Sequence, residues 1–236
     1  MASSIACQHG TFVAGMLAAR RGSSAPAICP DCTFLVRPIF PEKTANGDGM
    51  PAATPLELAV AIREMVEAGA RIINLSAALL QPTSMGVQRL QEALDFAASR
   101  NTITVAAAGN QGCVGSSAIT RHPWVIPVAG CSLDGRPISE SNFGSSIGRR
   151  GLCAPAEQIT SLGSDGQPRK FGGTSAAAPF VTGTIALLWS QFPTATAARI
   201  KSALLHAGGT RRDTVVPPLL NAAAAYQTMA EARTLQ

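Results

Sequence analysis

The sequence predicts one α/β domain built on a mostly parallel sheet, and three observations predict it. Between Arg71 and Ala129, apolar strand-like runs alternate with helix-like stretches, an alternation that gives parallel strands joined by crossovers. Of the 236 residues, 46% are hydrophobic and only 14% charged, a composition that fills a single large core. After Gly172-Gly173-Thr174-Ser175 the chain stays apolar from Ala176 to Trp189, which reads as a helix buried on nearly every face.

The elements follow in order. Cys7–Arg20 reads as a short helix with His9 at its N-terminal end and Phe12, Val13, Met16 and Leu17 as its apolar residues. A Gly/Ser/Pro-rich loop follows, then Thr33–Ile39 as a buried strand. Leu56–Ala68 carries Ala59, Ile62, Met65 and Val66 at helical spacing and stops at Gly69. Arg71–Leu75 is a strand, Gly86–Arg100 a helix, and Ile103–Ala107 and Val125–Ala129 are strands. Arg136–Lys170 is turn-rich, with short β-like pieces at Gly151–Ala154 and Gln158–Leu162. The Ser175 helix comes next, then helices at Ala195–Ala207 and Leu219–Arg233, separated by Pro193 and Pro217-Pro218. The whole chain, 1–236, reads as one domain. In a parallel sheet, functional groups gather past the carboxyl ends of the strands, and Ser76 and Asn110 both lie there.

Composition excludes several functions. The net charge of +5 comes from scattered basic residues, and aromatics are only 5%, so a nucleic-acid surface is not expected. No uninterrupted apolar run is long enough to span a bilayer. Met1–Gln8 lacks the charged and apolar regions of a signal peptide. Cys29 and Cys32 have C-x-x-C spacing but no second close Cys or His pair for zinc. They read as a local disulfide or as free buried thiols. The six cysteines allow up to three bridges, and their spacing does not fix the pairing. No cofactor is expected.

The chemistry centres on Ser175. Glycines before it permit a sharp turn, and a helix N-terminus favours developing negative charge. The same residues alone also read as a turn and a helix cap. Two further stretches decide between the readings: His9-Gly10-Thr11-Phe12-Val13-Ala14-Gly15 and Val105-Ala106-Ala107-Ala108-Gly109-Asn110. With Gly173-Thr174-Ser175-Ala176-Ala177-Ala178-Pro179, in this order, they resemble the subtilisin-like serine proteases, the subtilases. The resemblance runs from about Cys7 to about Gln227 and implies a three-layer sheet with helices on both faces. It implies Ser175 as nucleophile, His9 as general base and Asn110 as an oxyanion donor, joined by the Ser175 N–H. The other histidines fit structural readings, His122 in a surface Arg-His-Pro loop and His206 near a helix C-terminus.

Ile73-Asn74-Leu75-Ser76-Ala77-Ala78 resembles the family's strand that pairs with the substrate backbone. Ala77 and Ala78 stand where the family usually has glycines, which implies a narrowed first specificity pocket. Ala107, Ala108 and Gly109 form its opposite wall, and Thr174 belongs to the same site. The loop after the histidine helix, Arg20–Ala27, has no acidic or amide side chain, so the calcium that many subtilases hold there is not expected.

One part of the pattern is broken. The family's aspartate lies roughly thirty residues before the histidine, in an Asp-Thr-Gly or Asp-Ser-Gly motif. Only eight residues precede His9 and none is acidic. The resemblance leaves three arrangements: a preceding N-terminal segment with the family's strand and aspartate, a partner chain or another residue that supplies it, or an inactive pseudoprotease that binds peptides. A narrower likeness lies in Cys32–Phe40 and Gly109-Asn110-Gln111-Gly112-Cys113, which look like the PatA-type subtilases of cyanobactin pathways. That implies a serine endopeptidase processing a ribosomal precursor peptide in the bacterial cytoplasm. A general degradative subtilase, secreted or not, is the alternative.

Overall fold

The computed structural model describes residues 4–25, 27–41, 52–77, 86–207 and 214–234. Four parallel strands form the main sheet in the order β1-β2-β3-β4: Ile72–Leu75, Ile103–Ala107, Ile126–Cys131 and Leu152–Pro155. The register runs Ile72 to Ile103, Val105 to Ile126 and Val128 to Leu152. All five residues of β2 are buried, as a strand covered on both faces must be.

Helices supply both covers. On one face lie α2 (Pro55–Glu67) and α3 (Val87–Ser99). Leu58, Ile62 and Val66 of α2 meet Leu90 and Leu94 of α3 above Ile73 and Leu75 of β1. The opposite face carries α6 (Thr174–Gln191), α7 (Ala197–His206) and α8 (Ala222–Thr234), with Val181, Ile185 and Ile200 against Val105, Val128 and Leu152. Of the 18 residues of α6, 12 are buried, in keeping with its apolar circumference. Local signals set the boundaries of α2. Thr54 and Glu57 form a reciprocal capping box, Pro55 opens the helix, and Gly69 follows it at φ +88°.

Helix α1 (Ile5–Ala18) packs beside the sheet. It begins at a Ser4 cap, earlier than the sequence predicts, because the Ser4 hydroxyl accepts the Cys7 N–H. His9 therefore sits in the second turn rather than at the N-terminal end. The antiparallel pair β5 (Ile159–Leu162) and β6 (Pro168–Phe171) supports it. The Ser161 hydroxyl donates to the Phe12 carbonyl at 2.8 Å, and the Phe12 ring stands edge-on to Phe171 at 4.9 Å.

Three expectations need correction. Residues 33–39 form no regular element and join no ladder among the described residues, and most of them are exposed, Val36 by 74%. A strand pairs only with a neighbour about 4.8 Å away, and here a cleft of about 1030 Å³ lies between this segment and the edge of β1. Leu152–Pro155 is not a minor β piece but the fourth strand of the main sheet. His122 is buried rather than on the surface, with one ring nitrogen 3.1 Å from Asp95 and the other 3.3 Å from the Trp124 N–H. Helix α5 (Ser145–Arg150) and most of strand β6 fall in the stretch that the sequence reads as turn-rich, and the short helix α4 (Ala118–Arg121) lies where the sequence reading names no element.

Candidate active site

The approach to α6 explains why its leading residues are glycines. Gly173 has φ +87°, and a Cβ there would lie 2.9 Å from Asn110 Nδ2. A Cβ on Gly172 would lie 2.8 Å from the Ala156 carbonyl, the acceptor of the Gly173 N–H at 2.7 Å. The turn into α6 is thus pressed against the end of β4 and the loop after β2.

Thr174 is fully buried and joins that loop directly. Its N–H and its hydroxyl both donate to Asn110 Oδ1, at 2.8 and 2.9 Å, and its Oγ1 accepts the Gly109 N–H at 3.1 Å. Two donors on Oδ1 fix the orientation of the amide. Asn110 Nδ2 makes no hydrogen bond among the described residues and is available as a donor beside the first turn of α6, whose N–H groups lack intrahelical acceptors.

Ser175 is the second residue of α6. Its carbonyl would normally accept the N–H of residue 179, but Pro179 has none. The Ser76 hydroxyl fills that position at 2.8 Å. Ser76 Oγ in turn accepts from Asn74 Nδ2 at 2.9 Å, and Asn74 Oδ1 accepts from Thr182 Oγ1 at 2.8 Å. This chain ties the carboxyl end of β1 to α6. The Ser175 hydroxyl donates to the Ser76 carbonyl at 3.1 Å.

His9 is half-buried. It lies one turn before Phe12, on the side of α1 that packs Phe12 and Met16 against Ala176, the residue after Ser175. Among the described residues no hydrogen bond joins His9 to Ser175, and no carboxylate pairs with its ring. Burial alone acts on the imidazole and holds its pKa below the ordinary 6.5, so the ring is neutral at neutral pH and able to accept a proton. Catalytic hydrogen bonds are often long before substrate arrives.

Hydrogen bonds therefore join Gly109, Asn110 and Thr174 in one set and Ser76 and Ser175 in another, the two sets meeting at the Thr174–Ser175 peptide bond, and His9 approaches through helix packing. Ala107 and Ala108 are only 3% and 6% exposed, and the Ala108 N–H continues the ladder to Val128 at 2.9 Å. Ala77 follows Ser76, whereas Ala78 lies outside the described residues. The sequence reading missed the roles of Asn74, Thr182 and Pro179. Of these only Pro179 carried a signal, its spacing of four from Ser175. All six cysteines are free thiols. Among the described residues there is no group of three or more His, Cys, Asp or Glu that could hold a metal ion, and no helix is long and apolar enough to cross a membrane.

Comparison with known proteins fits this geometry. Residues 5–224 match the Subtilase family. Mycosin-3 of Mycobacterium tuberculosis (strain ATCC 25618 / H37Rv) is 28% identical over 264 residues, covering 88% of this chain and 57% of mycosin-3. Subtilisin NAT of Bacillus subtilis subsp. natto is 30% identical over 201 residues, covering 83% of this chain and 49% of that protein. The solved structure of the patellamide maturation protease PatA superposes with a TM-score of 0.83 at 30% identity, over 97% of this chain and 86% of that one. The chain spans about half the length of the curated relatives it matches.

Proposed function

The chain belongs to the subtilase family, with the match running through residues 5–224, and from that premise we propose that it is a serine endopeptidase working through an acyl-enzyme. The observation that carries the reading is the double hydrogen bond from Thr174 to Asn110 Oδ1. It leaves Nδ2 as a preorganised donor beside Ser175. Removing one such donor typically costs about 10²–10³ in kcat.

The steps follow from the side chains. An extended peptide adds to the carboxyl end of β1 at Ser76, Ala77 and Ala78, where Ala107, Ala108 and Gly109 wall the site from β2. A peptide N–H that takes the Ser76 carbonyl displaces the Ser175 hydroxyl from it and frees that hydroxyl for His9. Ser175 Oγ attacks the scissile carbonyl carbon, and its proton passes to His9. The carbonyl oxygen becomes negative between Asn110 Nδ2 and the Ser175 N–H. His9 then protonates the departing amine, and water hydrolyses the ester by the reverse sequence.

The third participant is a carboxylate on His9. The cleft between β1 and residues 33–40 supports a strand inserted there, from a preceding segment or a partner chain, bearing the acid. The likeness to a patellamide maturation protease supports a peptide matured by cleavage as substrate. A second reading has one observation in its favour: with no carboxylate at His9 among the described residues and the Ser175 hydroxyl turned to Ser76, the chain is a peptide-binding pseudoprotease. A fluorophosphonate probe separates the two. The protease reading expects Ser175 to be labelled and Ser175→Ala to be silent; absence of labelling, with and without an added acidic strand, favours the binding module.

A further inference from the structure

The loop that carries Asn110 is bracketed by one side chain outside the reactive group. Asn142 Oδ1 accepts the Gln111 N–H at 3.0 Å, the Cys113 N–H at 3.2 Å and the Cys113 thiol at 3.3 Å. Its Nδ2 donates to the Ala108 carbonyl at 3.2 Å and to Gln111 Oε1 at 2.6 Å, and its backbone N–H donates to the Gly109 carbonyl at 2.9 Å. These bonds grip residues before and after Asn110 and leave Asn110 itself untouched.

The loop needs this grip. Asn110 is exposed and stands between Gly109 at φ +105° and Gly112 at φ +60°, and glycine is the residue that loses most backbone freedom on ordering. Thr174 fixes the amide end of Asn110 and accepts the Gly109 N–H before it. The Ala108 and Gly109 carbonyls and the Gln111 and Cys113 N–H groups on either side are held by Asn142, which sits about thirty residues on, in the segment between β3 and α5.

We propose that Asn142 is a positioning residue for the oxyanion donor, acting through Asn110; this rests on the protease reading above. An oxyanion donor displaced by a fraction of an ångström loses much of its effect, and misplacement by about 1 Å costs up to about 10²-fold. Peptide hydrolysis and fluorophosphonate labelling both develop charge on an oxygen at this point. In labelling, Ser175 Oγ bonds to phosphorus, fluoride leaves, and the hydroxyl proton passes to His9.

The test is a double-mutant cycle on the labelling rate, run at a temperature at which every variant is folded by circular dichroism. Asn142→Ala is expected to slow labelling about tenfold to a hundredfold, with little change in the probe concentration that half-saturates the rate. Placed on Asn110→Ala, the same change is expected to cost less than about twofold, because residues acting as a unit are not additive. Asn221→Ala, which removes the cap on the Ala224 N–H at 2.9 Å, is expected to lower the melting temperature and leave the rate alone. Should Asn142→Ala not fold, Asn142→Asp enters the cycle, since it keeps the acceptor for Gln111 and Cys113 and loses the donors to Ala108 and Gln111. Equal costs in both backgrounds would overturn the positioning role while leaving the protease reading standing. No labelling of the unsubstituted chain, even with an acidic strand supplied, would overturn both.

Discussion

Ser76 and Ser175 exchange hydrogen bonds: the Ser175 hydroxyl donates to the Ser76 carbonyl at 3.1 Å, and the Ser76 hydroxyl donates to the Ser175 carbonyl at 2.8 Å. The second bond exists because Pro179 leaves the Ser175 carbonyl without its helical partner. Ser76→Ala removes that donor and strands a carbonyl between β1 and α6. The expected loss is about 1–3 kcal/mol, read as a shift in the denaturant midpoint. The first bond uses the backbone of Ser76 and survives the substitution.

Thr174→Val keeps the shape of the side chain and deletes the hydroxyl that bonds both Asn110 Oδ1 and the Gly109 N–H. The amide then has one anchor instead of two. Fluorophosphonate labelling of Ser175 is expected to slow by about tenfold or more, and Thr174→Ser, which retains the hydroxyl, is expected to restore most of the rate.

The pH dependence follows from His9. Its pKa in the folded chain lies below 6.5 because burial disfavours the charged ring, so the unfolded chain binds this proton more tightly. The stability that rests on a neutral His9 is complete above pH 6.5 and is lost as pH falls through the lower folded value. The acid limb of the labelling rate is likewise expected below pH 6.5. A synthetic extended peptide with an Asp-Ser-Gly sequence, added to fill the cleft beside β1, is expected to speed labelling and move that limb upward, since a carboxylate favours the imidazolium. An unchanged profile would argue against the inserted strand.

Gly15→Ala tests how closely α1 must dock. In an open helix alanine would be favoured by about 0.5–1 kcal/mol. Here a Cβ would meet Ser161 Oγ at 2.6 Å and the Leu162 backbone N at 3.1 Å, so contact decides the sign. A net loss of about 1–3 kcal/mol is expected, together with slower labelling, because α1 carries His9.

Much of this was legible in the sequence, for identifiable reasons. Ile103–Ala107 reads as a strand because four of its five residues are apolar, as suits a strand covered on both faces, and its observed bounds agree. Ser175 and Asn110 stand in motifs whose order is informative, and Thr174 joins them. What the sequence hid depends on distant partners. Leu152–Pro155 is four residues long and ends in proline, and only its pairing with Val128–Cys131 makes it a sheet strand. Thr33–Ile39 has apolar residues suited to a strand, yet propensity forms no ladder without a neighbour. Asn142 and Thr182 are ordinary polar residues until the fold brings them to Gln111 and Asn74, the latter 108 residues away from Thr182.

Among the described residues β1 pairs with β2 alone, and its other edge carries a consequence for handling. Unpaired N–H and C=O groups along a strand are a template for other chains, and Leu35 and Val36 expose apolar surface on the facing wall, by 47% and 74%. Copies of the chain on its own are expected to self-associate as concentration rises, and light scattering will register it. A peptide that seats in the groove should suppress that clumping, so colloidal behaviour becomes an assay for occupancy that needs no catalytic turnover.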